Sequence, residues 1–502
     1  LLGEALYETG SFADSERVLA AADILDGSPA EVLRLVGIRG TNLLFGLMQP
    51  ERATEVTETA VTHLDGEGLE SLREELVSRL ANVQLYSGHP ADALRTLSEL
   101  DMHTRLSDSG VEISNDDART QVLWSTPGVP AIALAGRSGE AIGLARLAYV
   151  RHRRLDDDIA LTSLETHLLT LCLALQEHGS LDEANGLALK GYEASVAACS
   201  LMGQTWFALN LARIALIRGR GASGVRWCRE AAAVTAAAQW RGPRSMALAG
   251  LAALSSVTGD MVTAHQALVE LAAIDGRFGF LMPERCLGQA WVLVAQGHRA
   301  DAVAVLQGGA ELASATGHTT VEAWLWHEIA RIGRPLDAVD RLNELADRCD
   351  GTLVAARALH VRARVSASLD ALVSAADAFE AMGCHLIAAE ALAQATDCAS
   401  RGGDRRRATN LATRAQGQIA LAEGARSDEL ATLDMVVPLT AREREVAMLA
   451  AAGTPSQEIG RRLFLSVRTV NNHLQGVYTK LGVSSRAELS HALQTVGGVG
   501  SS

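Results

Sequence analysis

A six-residue frame recurs through most of the chain at nearly even intervals, and this periodicity limits the fold more than any other feature. The frame consists of a small residue, three variable residues, a polar or small residue and usually an alanine. Nine copies begin at a glycine, namely Gly10, Gly88, Gly136, Gly179, Gly219, Gly259, Gly297, Gly333 and Gly403. Two weaker copies begin at Met48 and Ser366, so the eleven copies cover 393 residues in ten steps with a mean interval near 39. Such regularity indicates a stack of similar structural units.

Each copy of the frame predicts two helices and the turn between them. An apolar helical pattern precedes the frame, as at 290–296, and the glycine can adopt the left-handed conformation that ends a helix. A polar residue then opens a second helix, whose alanine allows close packing on the first. Because one helix pair cannot bury its apolar face alone, we expect an extended, almost wholly helical solenoid over residues 1–422.

The stacked pairs resemble tetratricopeptide-like repeats, although their interval exceeds the length of those repeats, about 34 residues, and most aromatic consensus positions are missing. The resemblance implies an all-α fold, in which a tetratricopeptide-like helical-repeat solenoid acts as a sensor or interaction domain. Residues 423–437 predict a linker, and residues 438–502 predict a separate domain of four helices.

Composition agrees with packed helices in a cytoplasmic protein. Apolar residues make up 48% of the 502 residues but aromatic residues only 4%, and alanine and leucine favour helices. No apolar run approaches the ~18 residues needed to cross a bilayer, and no basic n-region followed by an apolar h-region appears at the start of the sequence. The seven cysteines form no CxxC pair, which predicts small buried side chains rather than a metal or redox site.

Three polar stretches interrupt the repeat pattern. The longest interval predicts a polar loop between residues 103 and 130. The run RHRRLDDD at 151–158 predicts a self-compensating charged turn, with a partner-binding surface as the alternative. The three arginines at 405–407 predict a solvated helix face, with an auxiliary phosphate contact as the alternative.

The distribution of charge changes where the repeat ends. From Pro438 to Ser502 there are seven basic and four acidic residues, a net charge of +3, whereas the rest of the chain has 38 basic and 55 acidic residues, a net charge of −17. A small basic domain attached to a larger acidic body is typical of a nucleic-acid-binding domain carried by a larger protein.

Capping residues and apolar spacing predict the helices of this C-terminal domain, which we call the tail. The first helix begins with a capping box at Thr440 and Glu443 and ends at Gly453, and the second begins near Thr454–Pro455. Ser466 is the N-cap of the third helix, and a capping box at Ser485 and Glu488 begins the fourth.

The third of these helices combines a narrow apolar stripe with a broad polar face. The stripe consists of Val470, Leu474, Val477 and Leu481, and the opposite face of Arg468, Asn471, Asn472, Gln475 and Thr479. Arg, Asn and Gln can hydrogen-bond to base edges, and Thr can bond to phosphate. The spacing is compatible both with a recognition helix in the major groove and with an ordinary solvated helix face.

Residues 439–489 resemble the LuxR-type helix-turn-helix DNA-binding domain. The motifs LTxRExEV, EI, SxRTVxxH and KLGVxSR follow one another in this segment in the family's order. The resemblance places the helix-turn-helix at residues 454–473 and implies double-stranded DNA as the partner of a homodimer. The implied DNA contacts are Thr440, Ser456, Gln457, Ser466, Arg468, Thr469, Val470, Asn471, Asn472, His473, Gln475 and Lys480, and the implied dimer contacts are Arg486, Leu489 and Leu493.

Three residues depart from the family pattern. Pro455 stands where a polar cap is common, Gly460 replaces the usual alanine, and Asn471 stands where a basic residue is common. Glycine lowers helix propensity by about 1 kcal/mol relative to alanine. Asn471 exchanges an attraction to phosphate for hydrogen bonds to a base.

The whole chain is similar in architecture to the C-terminal portion of the large ATP-binding LuxR-type regulators. In these, an NTPase module precedes a helical-repeat sensor and a DNA-binding domain. The chain begins within a helical pattern and without a methionine, so we expect it to be part of a longer protein. It has no GxxxxGK(S/T) motif, and we therefore expect neither a nucleotide cofactor nor ATPase activity in this chain.

The leading hypothesis is a DNA-binding transcriptional regulator whose repeat domain responds to a small-molecule inducer or a protein partner. The alternatives are a scaffold whose helix-turn-helix mediates protein interaction, the C-terminal part of a larger NTPase-coupled switch, and an enzyme. The strongest enzyme candidate is the group of His318, Trp324, Trp326 and His327, but its histidines lie nine residues apart, which is not a usual ligand spacing on one helix. We therefore expect no catalytic residue and no metal site.

Overall fold

The computed structural model describes residues 1–22, 28–63, 69–100, 115–155, 163–274, 278–435, 441–481, 483, 485–486 and 488–489. This part of the chain is all-α, with short 3-10 and π segments and no β-strand. No helix in these residues is long and apolar enough to span a bilayer.

The helices of the repeat region follow one another through short turns. They are α1 (Leu2–Glu8), α2 (Phe12–Ala20), α3 (Pro29–Thr41), α4 (Pro50–His63), α5 (Glu70–Tyr86), α6 (Pro90–Leu97), α7 (Asn115–Leu134), α8 (Ser138–His152), α9 (Leu164–His178), α10 (Leu181–Ala197), α11 (Leu201–Arg218), α12 (Gly221–Ala237), α13 (Arg241–Val257), α14 (Met261–Ala272), α15 (Cys286–Ala295), α16 (Arg299–Thr316), α17 (Thr319–Arg331), α18 (Pro335–Arg348), α19 (Thr352–Ser366), α20 (Leu369–Ala381), α21 (His385–Arg401) and α22 (Arg405–Leu421). A π segment (Asn42–Gly46) and 3-10 segments (Met282–Arg285 and Asp428–Met435) complete the region. The tail contributes α23 (Ala441–Ala451), α24 (Ser456–Leu463) and α25 (Val467–Leu481).

The nine frame glycines end helices as predicted. Each has a positive φ, between 66° and 109°, and the next helix begins two residues after each of them. The sixth residue of the frame is buried in all nine copies. At Gly224 an added Cβ would lie 2.6 Å from Leu254 Cδ1 and 3.3 Å from Ala215 Cβ, which explains why this position requires a small residue.

The two weaker copies of the frame form the same turn without glycine. Met48 has a φ of 55° and α4 begins at Pro50. At the other weak copy the left-handed residue is Ala367, with a φ of 46°, one residue after the predicted Ser366. The periodic frame therefore predicted all eleven turns, one of them displaced by a residue.

Segments that are far apart in sequence also touch, so the repeat region is not extended as predicted. The Gly279 N–H donates to the Tyr86 carbonyl (3.1 Å), and the Gly221 N–H donates to the Ala422 carbonyl (3.0 Å). An added Cβ at Gly279 would lie 2.0 Å from the carbonyl carbon of Ser87. The solenoid winds into a superhelix whose successive turns are in contact.

Two carboxylates join these superhelical turns by capping helices of the preceding turn. Asp350 accepts hydrogen bonds from the N–H groups of Ser138 (2.8 Å) and Gly139 (2.9 Å) at the start of α8. Glu423 accepts one from the Ser223 N–H (2.7 Å) at the start of α12. A carboxylate at a helix N-terminus satisfies unpaired N–H groups and interacts favourably with the helix dipole, so each contact fixes one turn on the next.

Helix α7 replaces much of the polar loop predicted between residues 103 and 130. The helix runs from Asn115 to Leu134 although Pro127 and Pro130 lie inside it. A proline within a helix costs about 3 kcal/mol, whereas each large apolar side chain that becomes buried contributes about 1.5–3 kcal/mol. Several such side chains line α7, including Trp124, and the prediction failed because their burial outweighs the prolines. The preceding residues of the predicted loop lie outside the described part of the chain.

The two charged runs differ in environment. The prediction of a charged turn at 151–158 is wrong for Arg151 and His152, which are buried at the end of α8, where Arg151 donates to the Gln121 side chain. The last three residues of that run lie outside the described residues. The arginines at 405–407 are exposed, in agreement with a solvated helix face.

Much of the segment predicted as a linker is folded onto the repeat region. We call residues 423–435 the strap. Its 3-10 helix buries Leu430 and Leu433 against residues of α21 and α22. The partners that hold the strap by hydrogen bonds or ion pairs are Arg220, Ser223, Val257, Arg299 and Arg364. Residues 436–440 lie outside the described residues, so the domain boundary at 438 stays a prediction.

Candidate nucleic-acid interface

The tail helices pack around a small apolar core. The α25 stripe of Val470, Leu474 and Val477 is buried, as predicted, against Val446 of α23 and Ile459 of α24. Because this stripe is narrow, the opposite side of α25 remains in solvent.

The turn between α24 and α25 brings the two helices close together. Phe464 follows α24 in the left-handed conformation, with φ 55° and ψ 42°, and the Leu465 N–H donates to the Gly460 carbonyl (2.9 Å). A Cβ at position 460 would lie 2.8 Å from the Leu465 carbonyl oxygen. The glycine at this position therefore permits a close approach of the turn to α24, which its low helix propensity alone did not indicate.

Polar contacts fix both ends of the turn. Ser466 caps α25 as predicted, because its hydroxyl accepts a hydrogen bond from the Thr469 N–H (3.0 Å) and lies 2.6 Å from the Thr469 hydroxyl. Arg442 of α23 donates to the Leu463 carbonyl at the end of α24. Pro455 is the N-cap of α24 rather than a residue of its first turn. These contacts set the position of α25 relative to α24.

The solvent side of α25 carries the residues predicted to contact DNA. Arg468, Asn471, Asn472 and Gln475 are exposed, and Thr469 and His473 are partly exposed. The sequence of α25 contains no acidic residue, so no carboxylate on this helix opposes a nucleic-acid phosphate. Two arginines at the end of α24 that the sequence analysis did not select, Arg461 and Arg462, are also exposed, and both pair with Glu458. The i, i+3 and i, i+4 spacing of these charges could have indicated the pairing.

Two predicted contacts are wrong because their side chains are buried in the tail core. Val470 is fully buried in the tail core and cannot contact DNA. Leu489, predicted to pair two copies, is fully buried in the same core. Arg486, whose role in pairing two copies stays a prediction, is partly exposed and donates to the Thr454 carbonyl (2.8 Å) and the Ser456 hydroxyl (2.6 Å). Arg486 thus ties the segment that follows α25 to the start of α24.

The remaining predicted residues divide into exposed and undescribed positions. Gln457 is exposed in the first turn of α24, where it can contact a partner. Thr440, Leu493 and the side chain of Lys480 lie outside the described residues, so their roles stay predictions. Dimerisation itself also stays a prediction.

The group of residues weighed as an enzyme site lies inside the repeat region. His318, Trp324 and His327 are buried. The Nε2 atom of His327 lies 3.0 Å from Nδ1 of His360, and burial together with His360 holds the pKa of His327 well below its usual range. Among the described residues no group of three or more His, Cys, Asp or Glu side chains could hold a metal ion.

The arrangement of α24, the tight turn and the exposed polar helix α25 defines a helix-turn-helix DNA-binding domain. Residues 437–493 match the family model of the bacterial regulatory proteins of the luxR family. The C-terminal domain of this chain is therefore a helix-turn-helix domain of the luxR family.

Known proteins match the chain over this domain. The transcriptional activator protein ExaE of Pseudomonas putida is 49% identical over 53 residues, which are 11% of this chain and 25% of that protein. The transcriptional regulatory protein UhpA of Salmonella typhimurium is 46% identical over 56 residues, 11% of this chain and 29% of that protein. Proteins of Mycobacterium bovis and Mycobacterium tuberculosis are 49% identical over 51 residues, 10% of this chain and 6% of each of those proteins. The chain thus matches only a small part of each relative.

The chain also matches a solved structure of Rap protein complexed with competence and sporulation factor. Its TM-score is 0.44 with 10% sequence identity, and the match covers 78% of this chain and 99% of that chain.

Proposed function

We propose that this protein is a transcriptional regulator in which α25 reads promoter DNA and the helical-repeat region senses a signal or partner. The observation that carries the proposal is the exposed row of Arg468, Asn471, Asn472 and Gln475 on a helix whose other side is locked into the core. Asn and Gln can each form two hydrogen bonds to an adenine edge, and Arg can do so with guanine. In this proposal the chain has no catalytic step.

DNA binding by one tail is weak, because a single domain with a net charge of +3 neutralises few phosphates. Two copies bound to adjacent half-sites gain affinity through their high effective concentration. A dimer on two half-sites is therefore the form that we propose to bind the promoter.

The strap supports communication between the two regions of the chain. It lies directly before the tail, and its Glu423 caps α12 across a superhelical turn while Glu429 pairs with Arg364 (2.8 Å). A signal that alters the contact between superhelical turns therefore changes how the strap is held. Signal binding in the repeat region would in this way alter the position of the tail relative to DNA.

The test begins with selection of the preferred DNA site from a random duplex library by the full chain. Asn471→Ala and Gln475→Ala each remove hydrogen bonds to a base edge, and we expect each to weaken binding to the selected site by about 1–3 kcal/mol. Binding to random duplex should change little. Affinities for both duplexes are measured at two salt concentrations, since the phosphate contribution depends on salt.

Gln289→Ala, at an exposed position on α15, serves as the matched control and should leave both affinities unchanged. If Asn471→Ala and Gln475→Ala leave the ratio of specific to random binding unchanged, α25 does not read sequence and the proposal fails.

A further inference from the structure

A cavity of about 260 Å³, partly open to solvent, lies within the superhelix between two of its turns. Its lining includes Phe45 and Tyr86 from one turn and Phe280 and Arg285 from the next. The backbone hydrogen bond from Gly279 to Tyr86 joins the two turns at its wall. A molecule in this cavity would contact both turns at once.

One wall of the cavity consists of aromatic rings. The ring centroid of Tyr86 lies 5.0 Å from that of Phe45, 4.9 Å from that of Phe280 and 6.0 Å from that of Trp206. Aliphatic side chains such as Leu209 continue the apolar surface. A wall of rings supplied by separate elements favours a flat apolar guest.

Two polar groups in the lining lack partners among the residues that the structure describes. The Oδ1 atom of Asn82 is buried and accepts no hydrogen bond there. Arg285 forms no ion pair with a described carboxylate, and burial lowers the pKa of its guanidinium. Arg213 in the same lining differs, because it is held by Glu177 and Glu284 at 2.6 Å each.

We propose that this cavity binds a small organic carboxylate with a flat apolar body, whose carboxylate pairs with Arg285 and whose body packs on Tyr86 and Trp206. The inference rests on the proposed function, since it assigns a chemical class to the signal. Arg285 is partly buried, and a cation that is partly removed from water is stabilised by an anion with which it forms charge-assisted hydrogen bonds. A hydrogen-bond donor elsewhere on the ligand satisfies Asn82.

The volume limits the size of the ligand. A cavity of ~150 Å³ holds benzene, and small-molecule sites usually occupy ~300–1,000 Å³. A single ring with a short acidic side chain therefore fits this cavity.

Isothermal titration of the full chain with phenylacetate and 4-phenylbutyrate, and with the amide of each, tests the proposal. We expect at least one acid to bind ten times more tightly than its amide. Arg285→Met should abolish that preference while keeping the weak binding of the amide, which shows that the cavity is still formed. Arg285→Lys keeps the positive charge and should keep part of the preference.

Arg406→Met is the matched control, because Arg406 is exposed on α22, and it should bind like the unmodified chain. If neither acid binds more tightly than its amide, or if Arg285→Met retains the preference, the proposal is overturned.

These measurements contain no DNA, so their outcome is independent of sequence recognition by α25. A repeat of the DNA titration with saturating acid then tests regulation alone. Acid binding without a change in DNA affinity would uphold the ligand site and refute the sensing part of the proposed function.

Discussion

The repeat region and the tail use the same polar residue types in opposite ways. In the repeat region Arg331 lies between Glu328 and Glu390, with an N–O distance of 2.7 Å to each, and all three side chains are buried. In the tail, Arg468 and Asn471 extend into solvent from a helix of similar length. Position relative to the buried stripe, rather than residue type, decides whether a charge holds the fold together or is available to a partner.

The net charges of the two regions therefore have different meanings. Residues 1–437, the repeat region with the strap, carry −17 and the tail +3, but part of the charge of the repeat region is enclosed in ion pairs between helices that are distant in sequence. Arg331 and Glu390, on α17 and α21, are 59 residues apart. Removing one member of such a buried pair leaves an uncompensated charge in the interior, so loss of either residue should destabilise the contact between these helices.

The largest expected difference between the two regions is the effect of low pH on their stability. Burial lowers the pKa of His167 and of His318 to about 3 and that of His360 to about 4, and it also holds the pKa of His327 well below its usual range. Below about pH 6.5 the unfolded chain binds protons at these histidines and the folded chain does not, so stability falls as the pH decreases. Between pH 7 and pH 5.5 the four should together lower the free energy of unfolding by roughly 4–5 kcal/mol.

Tryptophan fluorescence during urea unfolding measures this effect selectively, because all seven tryptophans lie between residues 124 and 326. Hydrogen exchange of tail peptides provides the comparison, since the one histidine in the described part of the tail, His473, is partly exposed. An equal loss of protection in both regions between pH 7 and pH 5.5 would contradict the assignment of the effect to the buried histidines.

The next largest effect is expected from removing Arg331 from its ion pairs with Glu328 and Glu390. Arg331→Met leaves Glu328 and Glu390 buried without their partner, and it removes the contact of the guanidinium with the Trp291 ring, 4.8 Å from its centroid. We expect a loss of about 3–5 kcal/mol from the repeat region, measured as the urea midpoint by fluorescence.

Arg406→Met in the repeat region and Arg468→Met in the tail are the matched controls, because both arginines are exposed. Both should leave the fluorescence midpoint in place, and only Arg468→Met should weaken DNA binding. A loss below 1 kcal/mol for Arg331→Met, within the range of exposed ion pairs, would show that the network is not shielded from water.

In the repeat region, the ends of the helices could be predicted from the sequence, whereas the contacts between superhelical turns could not. The frame glycines predicted where helices end, because a turn depends on a few neighbouring residues. The contacts of Asp350 with Ser138 and of Glu423 with Ser223 were not predictable, since each joins residues in different superhelical turns. The cavity at Tyr86 and Arg285 depends on the same long-range contact.

In the tail, the spacing of α25 predicted both its stripe and its exposed face. The errors came from positions assigned by resemblance rather than by spacing. Val470 already belonged to the apolar stripe, and its burial follows from that period. The hydrogen bond from Arg486 to the Thr454 carbonyl joins residues 32 apart in sequence, and neighbours of this kind are not visible in a local pattern.

The smallest expected effect concerns a feature that occurs in both regions, a residue other than glycine with a positive φ. Ala367 between α19 and α20 is exposed and has a φ of 46°, a conformation that costs residues other than glycine about 1 kcal/mol. Ala367→Gly should therefore raise the free energy of unfolding of the repeat region by about 1 kcal/mol. Ala233→Gly, at an exposed position inside α12, should lower it by a similar amount, about 1 kcal/mol. The same sign for both variants would contradict the interpretation of the frame.

Phe464 is the corresponding residue with a positive φ in the tail, but its side chain could also contact DNA. It has a φ of 55° and is 96% exposed, so glycine at this position loses little buried surface and relieves the same strain. Phe464→Gly should slow hydrogen exchange in α24 and α25, corresponding to a gain of about 1 kcal/mol. DNA titration of this variant then separates two reasons for the large side chain. Unchanged affinity would mean that Phe464 has no contact in the complex, whereas a more stable tail with weaker DNA binding would show that the strained turn presents this ring to a partner.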